Sequence, residues 1–169
     1  MLRMGPSFSR RGRRGKHRSQ RREGGLGGFC LEDLSVGQSA ERAHVVTAAD
    51  ITAFAQVSGD ANPVHMDEAY AAATPFKGRI AHGMLSAGYI SAVLGTRLPG
   101  PGAIYVSQSL SFRRPVRIGD AVTAEVKVTA IDAARGRVTF ATGCVVAGKT
   151  VVEGEAVVVV PRRAARGAG

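Results

Sequence analysis

The sequence contains no tryptophan, few aromatic residues (5%) and only two cysteines among its 169 residues. Cys30 and Cys144 form no CxxC pair or other metal-binding spacing, which argues against a disulfide framework or a structural zinc site. Cys144 lies within an apolar run and is expected to be a small core residue in a reducing compartment. No run approaches about 20 consecutive apolar residues, so we predict no membrane-spanning segment and a cytoplasmic protein.

Acidic residues are also few, and the net charge is +10. The excess lies at the two ends of the chain: residues 1–28 carry nine Lys or Arg and one Glu, and residues 161–169 carry three more Arg. Residues 29–160 hold eleven basic and twelve acidic side chains, so this part is close to neutral. Because a nucleic-acid-binding domain is expected to carry its basic charge on the fold itself, we expect no nucleic-acid partner.

The N-terminal stretch RRGRRGKHRSQRREGGLGG has almost no apolar side chains to bury, so residues 1–28 are predicted to form a disordered basic tail. A transit-type peptide, residues upstream of the true start, and a contact with nucleic acid or membrane are the alternatives. Residues 162–169 are predicted to be a second, short disordered tail. The single folded domain is therefore expected to span residues 29–161.

The middle of the chain has helical patterns, after a short predicted strand, ERAHVVT. Thr47 and Asp50 form a capping-box pattern that starts a helix, and this helix is expected to stop at Ser58 and Gly59. A short helix is predicted in DEAYAAAT and a long buried one in HGMLSAGYISAVLGTRL. The small residues of the long helix form a stripe expected to lie close to another backbone: Gly83, Ala87, Gly88, Ser91, Ala92 and Gly95.

The C-terminal half changes to a period of two, most clearly in AVTAEVKVTAID, which predicts strands with one buried and one solvated face. Four strands are predicted here, and a sheet of this kind must cover one apolar face. The long helix is the only predicted element of sufficient length to do so. We therefore predict an α+β fold, with a curved antiparallel sheet wrapped around a central helix.

The stretch SGDANPVH places Asp60, Asn62, Pro63 and His65 close together in sequence. Pro63 argues against a regular helix, and an ordered turn can direct the Asp60 and His65 side chains toward one point. A carboxylate and an imidazole that share a water form a general acid–base pair, and Asn62 can hold the loop through backbone groups. A solvated turn with an incidental histidine is the alternative.

The stretch IAHGM places His82 and Gly83 at the start of the long helix. Backbone N–H groups at a helix start are unpaired and lie at the positive end of the helix dipole, so they can donate to a developing oxyanion. Gly83 has no side chain to block the approach of a substrate. A glycine required only for packing is the alternative.

These motifs resemble the MaoC-like hydratases, also called R-specific or type 2 enoyl-CoA hydratases, which have the hot-dog fold. The family pattern of an aromatic residue, a small residue and Gly-Asp-x-Asn-Pro-aliphatic-His is matched from Phe54 to His65, with the following small residue at Ala71. The stretches AHGM, LPGPGAIYVSQSLSFRRPVRIGDAVTAEV and GEAVV are also similar. The resemblance covers about residues 31–161 and leaves out the tails.

The resemblance implies that Asp60 and His65 hold one water, which adds syn across the double bond of a trans-2-enoyl thioester to give the (3R)-3-hydroxyacyl thioester. It implies that the Gly83 N–H polarises the thioester carbonyl. Asn62, Ser91 and Leu94 are the expected substrate-binding residues; Leu94 falls where the acyl pocket is lined. For Ser91, which matches a family serine that faces the site, we slightly favour a packing role instead.

No metal and no separate cofactor are implied, because coenzyme A is part of the substrate. The resemblance also implies a homodimer, since pairing of two sheets removes an exposed edge. Arg113 and Arg114 are either solvated edge residues, which we favour, or contacts for the phosphates of coenzyme A or an acyl carrier protein.

Three other functions remain open. A 3-hydroxyacyl-acyl-carrier-protein dehydratase would run the same chemistry in reverse. A hot-dog thioesterase would need a carboxylate placed to attack the thioester carbonyl, which the Asp60–His65 spacing does not resemble. A non-catalytic acyl-thioester-binding or RNA-associated module would have no need of both Asp60 and His65.

Overall fold

The computed structural model describes residues 27–163 of the chain. A one-turn 3-10 helix, Leu31–Asp33, begins the described part. The strands are β1 (Ser39–Val45), β2 (Ile104–Phe112), β3 (Ala121–Asp132), β4 (Arg137–Val146) and β5 (Lys149–Val159). The helices are α1 (Ala48–Ser58), α2 (Pro63–Met66), α3 (Glu68–Ala72) and α4 (Gly83–Thr96). Within these residues, one strand, a helical middle and four strands follow one another, as predicted.

The five strands form one sheet in the order β1-β3-β4-β5-β2, and every neighbouring pair is antiparallel. Strand β3 shows the predicted period of two most clearly. Its four alternate residues on one face are at most 1% exposed: Val122, Ala124, Val126 and Val128. The alternation arises because successive side chains of a strand point to opposite faces, and only one face of β3 is fully covered within the described residues.

Helix α4 covers the apolar face of the sheet and packs mainly on β3, so the predicted α+β architecture is confirmed. Fourteen residues give the helix a length of about 21 Å, enough to cross several strands. Its residues Ile90, Val93 and Leu94 are at most 1% exposed and belong to the same core as Phe140 of β4.

The small residues on α4 are predicted to lie close to another backbone, and most of them meet none within residues 27–163, so this role stays a prediction. Gly88, Ser91 and Gly95 are exposed, and a Cβ atom built on Gly88 or Gly95 would meet no atom within 4 Å. This face of α4 therefore lies against no other backbone within residues 27–163. A helix that is apolar on nearly all sides carries no sequence signal for which side the sheet covers.

Helix α1 begins and ends where the sequence predicts. The Thr47 hydroxyl accepts the Asp50 N–H at 3.1 Å, and the Asp50 carboxylate accepts the Thr47 N–H at 2.7 Å, which completes the capping box. The helix ends at Ser58, and Gly59 follows in the left-handed region at φ +78°. The absence of a Cβ makes this conformation readily accessible to glycine.

The stretch that begins at Pro63 differs from the prediction of a turn. Pro63 is the first residue of α2, a single helical turn that includes His65. Proline is well suited to the first position of a helix, because its fixed φ is already helical and the N–H that it lacks would have no partner there. The argument against a helix holds only for positions further inside one.

Contacts continue slightly beyond the predicted ends of the domain. The Gly28 N–H donates to the Pro101 carbonyl at 3.2 Å, and the Arg163 N–H donates to the Glu32 carboxylate at 2.9 Å. The two predicted tails, 1–28 and 162–169, otherwise lie outside the described residues. Between residues 27 and 163, no helix has the length and apolar character needed to cross a membrane.

Candidate active site

Asp60 lies in a short, exposed turn directly after α1. Its N–H donates to the Ser58 hydroxyl at 3.2 Å, and that hydroxyl donates to the Phe54 carbonyl at 2.6 Å. The Asp60 carboxylate accepts the Asn62 N–H at 3.3 Å. These local bonds reverse the chain after the helix and hold the carboxylate at the surface.

Asn62 shapes the next part of the turn. Its side-chain oxygen accepts the Val64 N–H at 3.2 Å, so Asn62 is the N-cap of α2, and this cap places His65 on the single turn of that helix. The predicted loop-holding role of Asn62 is therefore seen directly. Its expected contact with substrate stays a prediction.

The His65 ring is oriented by a residue distant in sequence. Its Nδ1 atom lies 2.8 Å from the carbonyl oxygen of Ile80, and the ring is partly buried. Because a carbonyl only accepts, Nδ1 carries the proton in this hydrogen bond. In the neutral ring, Nε2 is then left with a free lone pair, which is the state needed to accept a hydrogen bond from water.

His82 is part of the same cluster, although the sequence marked it only as a helix start. Its side chain is 2% exposed, and its Nε2 atom lies 2.8 Å from the backbone carbonyl oxygen of Asp60. The ring centroid is 3.9 Å from that of His65 and 4.9 Å from that of Phe54. No spacing rule connects residues 22 positions apart, and the only sequence signal for His82 is its place beside Gly83.

The turn brings the predicted pair together. Asp60, His65 and His82 each offer a ligand-type atom, and these atoms lie within 4.8 Å of one another. A carboxylate and two imidazoles can hold a divalent metal ion. One nitrogen of each ring is already engaged by a backbone carbonyl, which leaves a single ring nitrogen on each histidine. The expectation of a metal-free site stays a prediction.

Gly83, which follows His82, is the first residue of α4 and is exposed. Its N–H has no partner within the helix, so it can donate to a ligand bound next to His82. The Phe112 ring packs closely on Gly83: an added Cβ would lie 2.7 Å from that ring. Glycine is thus required here for the approach of Phe112, and any larger residue would move the ring.

The remaining predicted residues separate into exposed and buried ones. Ser91 is exposed within the described chain, so both the packing role that we favoured for it and a substrate contact stay predictions. Leu94 is 1% exposed and belongs to the core between α4 and the sheet. Arg113 pairs with Glu153 at 2.6 Å, and Arg114 donates to the Thr150 carbonyl at 2.6 Å. Both guanidinium groups therefore bond to residues of β5.

The two cysteines take no part in the site. Cys144 is fully buried and its thiol lies 3.4 Å from the Ser86 carbonyl, as expected for a core residue. Burial raises the pKa of the Cys144 thiol to about 12, and the charge of Glu125 acts in the same direction. Cys30 is a free thiol at partial burial near the N-terminal 3-10 helix.

Comparison with known proteins agrees with this geometry. The model of the MaoC like domain family matches residues 34–153. An (R)-specific enoyl-CoA hydratase of Rhodospirillum rubrum is 63% identical over 133 residues, which cover 79% of this chain and 92% of that protein. A 3-hydroxybutyryl-CoA dehydratase of Methylorubrum extorquens is 51% identical over 133 residues, which cover 79% of this chain and 85% of that protein.

A solved structure shows the same fold. The unliganded R-hydratase PhaJ1 from Pseudomonas aeruginosa superposes with a TM-score of 0.77 at 49% identity, and the match covers 80% of this chain and 88% of that one. The resemblance that the sequence indicated is therefore confirmed in both sequence and fold. This chain belongs to the MaoC-like family of hot-dog proteins.

Proposed function

We propose that this protein is a hydro-lyase that adds water reversibly to trans-2-enoyl-CoA and forms (3R)-3-hydroxyacyl-CoA. The observation that carries the proposal is the convergence of Asp60 and His65 beside the first residue of α4, Gly83. The proposal is also supported by the two curated relatives, whose names describe enoyl-CoA hydration and its reverse.

The proposed mechanism uses one water held between the Asp60 carboxylate and Nε2 of His65. Asp60 takes a proton from the water as general base, and the water oxygen bonds to C3 of the substrate. A proton from the pair reaches C2 on the same face with the help of His65, so the pair returns to its starting charge. The Gly83 N–H donates to the thioester oxygen while negative charge develops there.

Substrate contacts are proposed for three further residues. Leu94 would line the apolar end of the acyl site, because its side chain lies between α4 and the sheet. Ser91 would reach substrate from the exposed face of α4, and Asn62 would do so while it caps α2. The chemistry needs neither a metal nor a cofactor besides the coenzyme A of the substrate.

The runner-up is a dehydratase that acts on 3-hydroxyacyl-acyl-carrier protein, for which the same acid–base pair would run in reverse. Both curated relatives described above are named for substrates that are coenzyme A thioesters, which favours the first function. A purely acyl-binding or RNA-associated module is disfavoured because it would need neither the oriented Nε2 of His65 nor the Asp60 carboxylate.

We further propose a cytoplasmic homodimer without nucleic-acid or membrane partners. Strand β2 lies at one edge of the sheet and leaves large apolar side chains exposed: Ile104 (64%), Tyr105 (41%), Val106 (45%) and Phe112 (53%). An unpaired edge of this composition favours pairing with a second copy. A solution mass equal to one chain, measured by light scattering, would contradict the dimer.

The testing experiment follows the absorbance of crotonyl-CoA in water with wild type, Asp60→Asn and His65→Gln, and with chiral analysis of the product. Fast hydration to the (3R) alcohol, reduced about 100- to 10,000-fold in both variants, is the expected result. Asp132→Asn and His44→Gln are matched controls, because both residues lie outside the site. If folded wild type hydrates neither short nor long enoyl-CoA nor carrier-protein thioesters, the enzymatic function is wrong.

A further inference from the structure

Each of the two histidines of the site makes a hydrogen bond to the backbone segment that carries the other. His65 bonds to the carbonyl of Ile80, two residues before His82, and His82 bonds to the carbonyl of Asp60, five residues before His65. The Arg79 guanidinium also donates to the His65 carbonyl at 2.6 Å. These crossed bonds join the Asp60–His65 turn to the segment that leads into α4.

The partner of His82 fixes its tautomer. A backbone carbonyl can only accept, so Nε2 of His82 carries the proton that bonds to Asp60. The other ring nitrogen, Nδ1, is buried and has no hydrogen-bond partner within residues 27–163. A proton on Nδ1 would therefore be a buried donor without an acceptor, which is a costly state.

Aromatic rings also enclose the His82 side chain. The residue is 2% exposed, and its ring lies near the rings of Phe54 and His65. His82 is thus a fixed aromatic surface on which the His65 ring packs at a centroid distance of 3.9 Å.

We propose that His82 is a positioning residue for the reaction, an inference that rests on the proposed function. Its Nε2–H holds the backbone of Asp60, and its ring fixes the plane of His65. Both members of the acid–base pair are therefore placed by one side chain that need not touch the substrate. Misplacement of a reacting group by about 1 Å can cost about 100-fold in rate.

The test separates the donor of His82 from its bulk. His82→Leu fills a similar space without a donor, whereas His82→Gln retains an N–H₂ group that can reach the Asp60 carbonyl. We expect His82→Leu to lower kcat about 10- to 100-fold with little change in KM, and His82→Gln to recover most of the loss. His44→Gln, which removes a histidine outside the site, is the matched control. A kcat for His82→Leu close to that of wild type, or equal losses in both variants, would overturn the proposal.

A second readout is independent of activity and of the stability of the variants. Long-range proton–nitrogen NMR of the imidazole rings in wild type reports which nitrogen carries the proton. We expect the Nε2–H form for His82 and the Nδ1–H form for His65 at neutral pH. An Nδ1–H tautomer of His82 would refute the inference. If wild type hydrates no thioester, the proposed function fails, while the NMR result still decides the tautomers.

Discussion

Helix α1 has an aspartate–histidine pair at each end, and the two pairs are bonded differently. At the N-terminal end, Nε2 of His44 lies 2.9 Å from the Asp50 carboxylate, which is a direct contact. At the C-terminal end, Asp60 and His65 make no direct hydrogen bond to each other within the described residues, and the ring bonds to a backbone carbonyl instead.

The two carboxylates differ in the number of hydrogen bonds that they accept. Asp50 accepts hydrogen bonds from His44, from the Thr47 N–H and from the Thr47 hydroxyl. The Asp60 carboxylate accepts only the Asn62 N–H from the described residues, which leaves acceptor sites for water. The same two residue types therefore stabilise a helix at one end and are available for proton transfer at the other.

The largest expected effect is the loss of activity in Asp60→Asn. An amide cannot take a proton from water, so hydration of crotonyl-CoA should fall about 100- to 10,000-fold. Because the carboxylate is exposed and makes one local bond, the melting temperature should stay close to that of wild type. A variant that keeps full activity, or that loses it only by unfolding, would contradict the statement that Asp60 serves activity whereas Asp50 serves stability.

A smaller effect is expected at Gly83, whose N–H is the proposed donor at the start of α4. In Gly83→Ala, the added Cβ meets the Phe112 ring at 2.7 Å and crowds the N–H, so kcat should fall about 10- to 100-fold. Gly88→Ala is the matched control on the same helix, because its Cβ meets no atom within 4 Å. That control should retain activity and gain up to about 1 kcal/mol of stability. Equal kinetics for the two variants would show that the space around Gly83 and the position of the Phe112 ring do not affect the reaction.

At the other end of α1, Asp50→Asn should change stability and not activity. The hydrogen bond from His44, and then those from Thr47, lower the pKa of Asp50. A lowered pKa contributes stability above the unfolded-state pKa, near 3.9, and this is lost as pH falls through the folded-state value. We expect the variant to lose about 1 kcal/mol at pH 7, and the difference from wild type to shrink as pH falls below the unfolded-state pKa. Urea unfolding at pH 7 and in a series of acidic buffers measures it, and a difference independent of pH would contradict the assignment.

The smallest effect concerns Tyr89, whose ring lies 4.9 Å from that of His44. Its hydroxyl is buried and has no hydrogen-bond partner in the described part of the chain, so Tyr89→Phe should be neutral or stabilising by up to about 1 kcal/mol. Burial, and then the charge of Asp50, raises the pKa of Tyr89 to about 12. Because the raised pKa favours folding below pH 10 and this contribution is lost between pH 10 and 12, wild type should lose more stability there than the variant. Identical alkaline unfolding curves would argue against a buried phenol.

Local features of this protein were predictable from sequence. The capping box at Thr47, the end of α1 at Gly59 and the alternation of β3 depend on residues within a few positions of one another. Such patterns are governed by backbone geometry and by which face is buried, so they survive in any tertiary context. The motif from Phe54 to His65 likewise indicated the family before the fold was known.

Features that depend on distant contacts were missed. The exposed side of α4 depends on which of its apolar faces the sheet covers, and the sequence pattern is the same for either choice. One local feature was also missed: the one-turn helix at Pro63 is stabilised by the adjacent Asn62 cap, and proline was judged only as a helix breaker.

The sequence by itself determined the elements other than α2, the α+β class and the pair of residues, Asp60 and His65, that carry the proposed chemistry. Only the tertiary structure decided which nitrogen of His65 remains free, because that depends on the Ile80 carbonyl 15 residues away. It also decided that His82 lies against His65. The reason is physical: local propensities act between near neighbours, whereas the protonation and orientation of a side chain follow from whichever groups the fold brings within hydrogen-bonding distance.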